Sequence, residues 1–168
     1  GIVMMFAAFY FYISSLKSEK LIPSLVHSFF AAIATGIMGW AWGGVTTIFL
    51  VIGLTTLAEV MLNKLKLKDM YSYLLFIPVT TLVLIYQGRI NLGSLLTSFT
   101  SAIMYFAFCM IIMHLILFEF DLFKLKNKIE KKYPPGLVSS GFSVLLGIIA
   151  VISIYGVGYL WDRIINIY

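Results

Sequence analysis

From Leu21 to Leu62 the chain carries only two ionisable side chains, His27 and Glu59, in a run of otherwise apolar or small residues. About 20 apolar residues cross the ~30 Å hydrocarbon core of a bilayer as a helix, so this run is long enough to cross and return. Its middle, Gly39-Trp40-Ala41-Trp42-Gly43-Gly44, supplies the turn. Inside a bilayer every backbone N–H and C=O must be satisfied by the protein itself, which leaves helices or a closed barrel. A barrel strand alternates apolar and polar residues at a period of two, and these runs do not. The expected fold is therefore all-α, a polytopic integral membrane protein. Composition agrees, because 11% of residues are charged and 61% hydrophobic, whereas soluble domains carry about a quarter charged residues.

Applied along the chain, the same reasoning predicts one transmembrane domain over residues 1–168, with about six spans at 2–16, 21–40, 45–62, 71–86, 92–120 and 137–161. Pro23 falls in the first turn of the second span, where its missing N–H is harmless. Pro78 predicts a kink in the fourth. The fifth is longer than a bilayer needs and is expected to tilt or protrude. The sixth follows the Pro134-Pro135-Gly136 break.

Basic residues orient these spans. The loops 17–20, 63–69 and 121–135 hold ten of the 12 lysines and arginines, and the other side holds Arg89 and Arg163. Positive residues stay on the cytoplasmic side, so the lysine loops are expected inside and both termini outside. The first span has its lysines after the apolar run, the reverse of a signal peptide, and is expected to be retained. A cell (plasma) membrane is the expected location.

Several chemistries are excluded. One cysteine, Cys109, allows neither an internal disulfide nor a thiolate metal cluster. The net charge of +5 resides in short loops without interleaved aromatics, so no nucleic acid partner is expected. There is no P-loop for nucleotides and no nucleophile elbow for serine hydrolysis. No His-Glu-x-x-His or Glu-x-x-His spacing is present, and neither a metal nor a cofactor is expected.

Helices in lipid associate through small residues and interhelical hydrogen bonds. Ser28, Ala32 and Gly36 recur every fourth residue in the second span, with Ala31, Thr35 and Gly39 beside them. Ser139, Ser143 and Gly147 repeat the spacing in the sixth. These two helices are expected to be the most protein-buried. Trp40, Trp42 and Trp161 fall at outer span ends, where indole rings settle among headgroups. Lys124, Lys126, Lys128, Lys131 and Lys132 surround an apolar stripe of Leu122, Leu125 and Ile129. That segment is expected to lie on anionic lipid, at about 1 kcal/mol per lysine.

Ionisable residues inside spans are costly and are functional candidates by default. His27, Glu59 and His114 all fall in the inner half of the bilayer and are the expected proton, ion or ligand residues. Thr55 and Thr56 precede Glu59 by one turn and can add hydroxyls. Beyond His114 come Glu119, on another face, and Asp121, about two turns further along the same face. The function expected from this pattern is a membrane-embedded subunit of a multisubunit transporter or other membrane protein complex, partnered by the lipid bilayer and by other membrane subunits or a homo-oligomer. The alternative is a self-contained proton- or ion-coupled transporter using the His/Glu cluster. A second alternative is an intramembrane lipid-modifying enzyme using His114 with Glu119.

Overall fold

The computed structural model describes residues 1–41, 43–86, 88, 93, 95, 98–119 and 134–149. These residues form a helical bundle, with no strand among them. The helices are α1 (Ile2–Lys17), α2 (Leu21–Ala41), α3 (Val45–Met61), α4 (Leu67–Tyr86), α5 (Phe99–His114) and α6 (Pro135–Ile149). α5 runs on directly into one π-helical turn, Leu115–Glu119. Leu21–Ala41, Leu67–Tyr86 and Thr100–Glu119 are long and apolar enough to cross a membrane, while α1, α3 and α6 are apolar but shorter over the described residues.

Local chemistry sets the helix ends. α3 stops at Leu62 because Asn63 turns left-handed (φ 54°), a conformation asparagine tolerates well. The Lys64 N–H then bonds the Glu59 carbonyl at 2.9 Å and the Asn63 N–H bonds that of Val60 at 3.0 Å, which satisfies two orphan carbonyls of the last turn. α6 starts on Pro135, whose fixed φ suits the first helical position. α4 begins at Leu67, four residues before the expected boundary, so Asp69 lies in its first turn and not in a loop. α5 begins later than the expected 92, since Ser98 is extended (φ −72°, ψ 130°) at the N-cap position. Over the described residues, the span Thr100–Glu119 is 20 residues long, enough to cross a bilayer at 1.5 Å per residue.

Two groups of helices pack internally. α1 and α4 lie along α2, and α5 lies along α3; contact between the groups is thin. Within the first group, Gly36 sits against Val83 and Gly39 against Leu84, both of α4. Within the second, a Cβ on Gly53 would stand 3.1 Å from the Met104 backbone. α6 joins this group through Gly136, which rests on the backbone of Val60 and Met61. Phe49, Tyr73, Phe76, Met104 and Met110 fill the interior.

The small-residue stripe of α2 is buried as expected at Ser28, Ala32 and Gly36. α6 departs from expectation. Ser139 and Ser143 are buried, but Gly147 is exposed, with no atom within 4 Å of where its Cβ would stand. Phe142, Leu145, Ile148 and Ile149 are exposed as well. Among the described residues, α6 meets protein through Gly136, Ser139 and Ser143. Trp42, Trp161, Asp121 and the lysines Lys124, Lys126, Lys128, Lys131 and Lys132 lie outside the described residues.

Candidate functional site

Where the lysine-loop ends of α1 to α4 converge, the bundle buries a continuous set of polar side chains. It begins at the tight α1–α2 connection, which makes Ser15 and Ser24 face each other. The Ser15 hydroxyl donates to the Ser24 carbonyl at 2.8 Å, and the Ser24 hydroxyl donates to the Ser15 carbonyl at 2.9 Å. The Ser72 hydroxyl of α4 meets that of Ser24 at 2.8 Å, and Ser28 donates to the Ser72 carbonyl at 2.6 Å. All four serines are at most 2% exposed, so every hydroxyl needs a protein partner and has one.

One turn before Ser72, Lys68 and Asp69 pair with each other. The Lys68 ammonium also donates to the Leu16 carbonyl at 3.0 Å, capping the end of α1, where cations are favoured. Asp69 is 8% exposed, so its charge depends on that pairing. On the other side stands Tyr12 of α1, buried and bonded to the Thr56 hydroxyl of α3 at 2.9 Å. Glu59, one turn beyond Thr56, is half-buried. Glu59 has no ion pair among the described residues, where Lys68 with Asp69 is the one such pair; Lys64 and Lys66, the next basic residues along the chain, do not reach it.

The remaining candidates divide. Thr56 belongs to this site, whereas Thr55 faces outward and bonds the carbonyls of Val51 (2.8 Å) and Ile52 (3.1 Å) in its own helix. His27 is half-buried at the edge of α2, with Nδ1 donating to the Pro23 carbonyl at 2.8 Å and its ring against Phe11. That bond fixes the tautomer with Nε2 as acceptor. His114 is buried between α5 and α6, its Nδ1 3.1 Å from the Ser139 hydroxyl. Ser139 itself donates to the Pro135 carbonyl at 3.0 Å, so it accepts from His114. Phe118 packs on the imidazole one π-turn later. Glu119 is exposed and does not join His114. His27, Glu59 and His114 thus have separate neighbours, and no group of three metal-ligating side chains exists among the described residues.

Tyr12, Lys68, Asp69, Ser15, Ser24 and Ser72 were not among the sequence candidates. Ser15 and Ser24 were legible in principle, being nearly equidistant from the centre of the Ser18–Lys20 turn and therefore opposed in a helical hairpin. Asp69 was hidden by the helix boundary. The assembled site offers two carboxylates, Glu59 on α3 and Asp69 on α4, an ammonium and two bonded hydroxyls. Such a set can hold or pass a proton, or take a small hard cation on oxygen ligands. No protein-family model, curated protein or solved structure matches this chain.

Proposed function

We propose that the chain is the membrane-embedded subunit of a transporter, and that it takes up a proton or small cation at Glu59. The observation that carries this reading is Glu59 itself, a half-buried acid without an ion-pair partner among the described residues, one turn beyond the Thr56 hydroxyl that bonds buried Tyr12. Ionisable groups placed at such cost inside a membrane bundle mark ion and proton paths. The lysine-rich ends give the orientation: about six spans, the Glu59 end at the cytoplasmic face, both termini outside, in the cell membrane. Other membrane subunits or a second copy complete the working assembly, and anionic lipid holds the basic loops.

The test is flux in liposomes carrying the purified chain, or the complex that copurifies with it in a mild detergent. An imposed membrane potential should drive proton uptake, read by an internal pH dye, or uptake of sodium or potassium. Glu59→Gln should fold normally and lose that flux. Equal flux from the parent and the variant refutes the role of Glu59. A mass equal to one chain in native mass spectrometry refutes the multisubunit part.

A further inference from the structure

Besides the buried serines, the α1–α2 connection carries polar groups that reach the surface. Lys17, Glu19 and Lys20 are exposed there, and among the described residues none of the three has an ion-pair partner. His27 belongs to the same place. Side chains in a helix tilt toward its N-terminus, so the imidazole reaches back to the turn, and its Nδ1 stands 3.4 Å from the Ser18 hydroxyl. That hydroxyl gives its own proton to the Ser14 carbonyl at 2.8 Å, while Nδ1 donates to the Pro23 carbonyl at 2.8 Å. Nε2 is then a lone-pair acceptor, and no described residue donates to it. A half-buried acceptor at a membrane surface calls for a donor from outside the chain.

Further along the same seam the surface turns aromatic. Phe11 of α1 lies 6.5 Å from the His27 ring and 5.6 Å from that of Phe30, centroid to centroid, and Phe30 is 48% exposed. α2 is long and apolar enough to cross a membrane. The seam therefore runs from charges of both signs and an acceptor nitrogen, at the membrane surface, to aromatic rings in the hydrocarbon.

We propose that the α1–α2 turn binds one ethanolamine phospholipid, its phosphate on Lys17 and Lys20, its ammonium donating to His27 Nε2 beside Glu19, and its acyl chain on Phe11 and Phe30. The two lysines answer the phosphate, and Glu19 answers a positive charge that an anionic headgroup lacks. Nε2 needs an N–H, which a choline headgroup lacks. Hydrogen bonds with one ionised partner are the stronger kind, so the ammonium suits Nε2 better than a neutral hydroxyl does. At this loop the lipid is thereby narrowed from anionic in general to one carrying an ammonium. The assignment rests on the membrane reading of the bundle and not on transport.

The experiment titrates the full chain, in a mild detergent, with phospholipids of identical acyl chains and counts bound lipid by native mass spectrometry. One ethanolamine lipid should be retained. Its mono- and dimethylated forms keep an N–H and should bind nearly as tightly. The trimethylated form, the choline lipid, should bind about tenfold more weakly, the scale of one hydrogen bond to a charged group. Equal binding of the choline and ethanolamine lipids overturns the proposal, and this series needs no variant. Tighter binding of phosphatidylglycerol overturns it too, by making the turn a general site for anionic lipid. So does phosphoethanolamine without acyl chains binding as tightly as the lipid, since the ligand would then be a soluble one. His27→Phe keeps a ring against Phe11 and removes Nε2, so the ethanolamine–choline difference should vanish; its survival overturns the role of His27. Lys17→Gln with Lys20→Gln should weaken both lipids alike, and unchanged binding would take the phosphate away from this turn. No flux is measured, so the outcome is separate from the role of Glu59.

Discussion

Gly36 is where the packing of α2 on α4 can be tested most sharply. A Cβ there would stand 2.6 Å from the Val83 Cβ and closer still to its Cγ1, against about 3.5–4.0 Å for an unstrained carbon pair. Val83 cannot swing aside, since a β-branched side chain in a helix keeps essentially one χ1 rotamer. Gly36→Val therefore drives the helices apart by about 1 Å, the shortfall between those two separations, and inserts three carbons. Overpacking of this kind costs about 1–3 kcal/mol, while valine's better helix propensity returns only a few tenths. The net expectation is destabilisation by about 1–2.5 kcal/mol. Gly141→Val is the control, because no atom lies within 4 Å of that Cβ position and the site is exposed; it should be neutral. Reversible unfolding in mixed micelles, followed by helical circular dichroism, measures both. Val83→Ala vacates two methyl groups and should recover at least about 1 kcal/mol in the double variant, a coupling within the range found for residues in contact. Equal stability for Gly36→Val and Gly141→Val, or no recovery with Val83→Ala, would refute the reasoning.

Other outcomes follow from the site. Tyr12→Phe and Thr56→Val should each cost about 1 kcal/mol and the double variant little more than either one; full additivity would mean the bond is absent. Asp69→Asn leaves the Lys68 charge buried at 13% side-chain exposure, so a loss of about 3–5 kcal/mol is expected, largely reversed by adding Lys68→Met. Glu59→Gln instead removes a half-buried acid that has no ion pair among the described residues and should leave unfolding unchanged or harder, the opposite sign to Asp69→Asn. Cys109 opens onto an apolar groove lined by Phe106, Ile112 and Leu146; in intact membranes an apolar maleimide should modify it and a charged, impermeant one should not. Equal labelling by both reagents would put Cys109 in water.

Much of the architecture was legible because lipid reduces the backbone to helices, and composition then marks where each begins and ends. α1, α2 and α3 fall within a residue of their expected limits. The two larger discrepancies have local causes. Leu67 and Lys68 look like loop because lysine is hydrophilic, yet lysine is a good helix former, and here its ammonium finds a carbonyl at the end of α1. Ser98 looks like part of a span because its neighbours are apolar, yet its backbone is extended (ψ 130°) and α5 starts only after it, with no capping bond from its hydroxyl. The α6 stripe is buried at Ser139 and Ser143 and exposed at Gly147: spacing shows that a face is flat, not how far along it a partner lies.

The site was half legible, and the division is physical. A single residue's cost of burial can be judged from its own type and depth, which is why Glu59 stood out. Its meaning comes from what faces it, and facing is a property of pairs. The spacing from Glu59 to Asp69 crosses a helix end, a left-handed Asn63 and a new helix start, and no periodicity connects them. Tyr12 was harder still, since a tyrosine in an apolar helix is as ordinary at the lipid surface as in a core; Tyr10, two positions earlier, is 67% exposed. One hydroxyl distinguishes the two, and it counts only because α3 presents Thr56 at 2.9 Å. The same reasoning bears on His27 and His114. Their shared depth was an expectation from the sequence; among the described residues His27 bonds the Pro23 carbonyl and His114 meets Ser139 of α6. In a chain this poor in ionisable groups, the informative residues are those whose neighbours across the seam are also polar. Tyr12, Thr56, Glu59 and Asp69 meet that condition from three different helices.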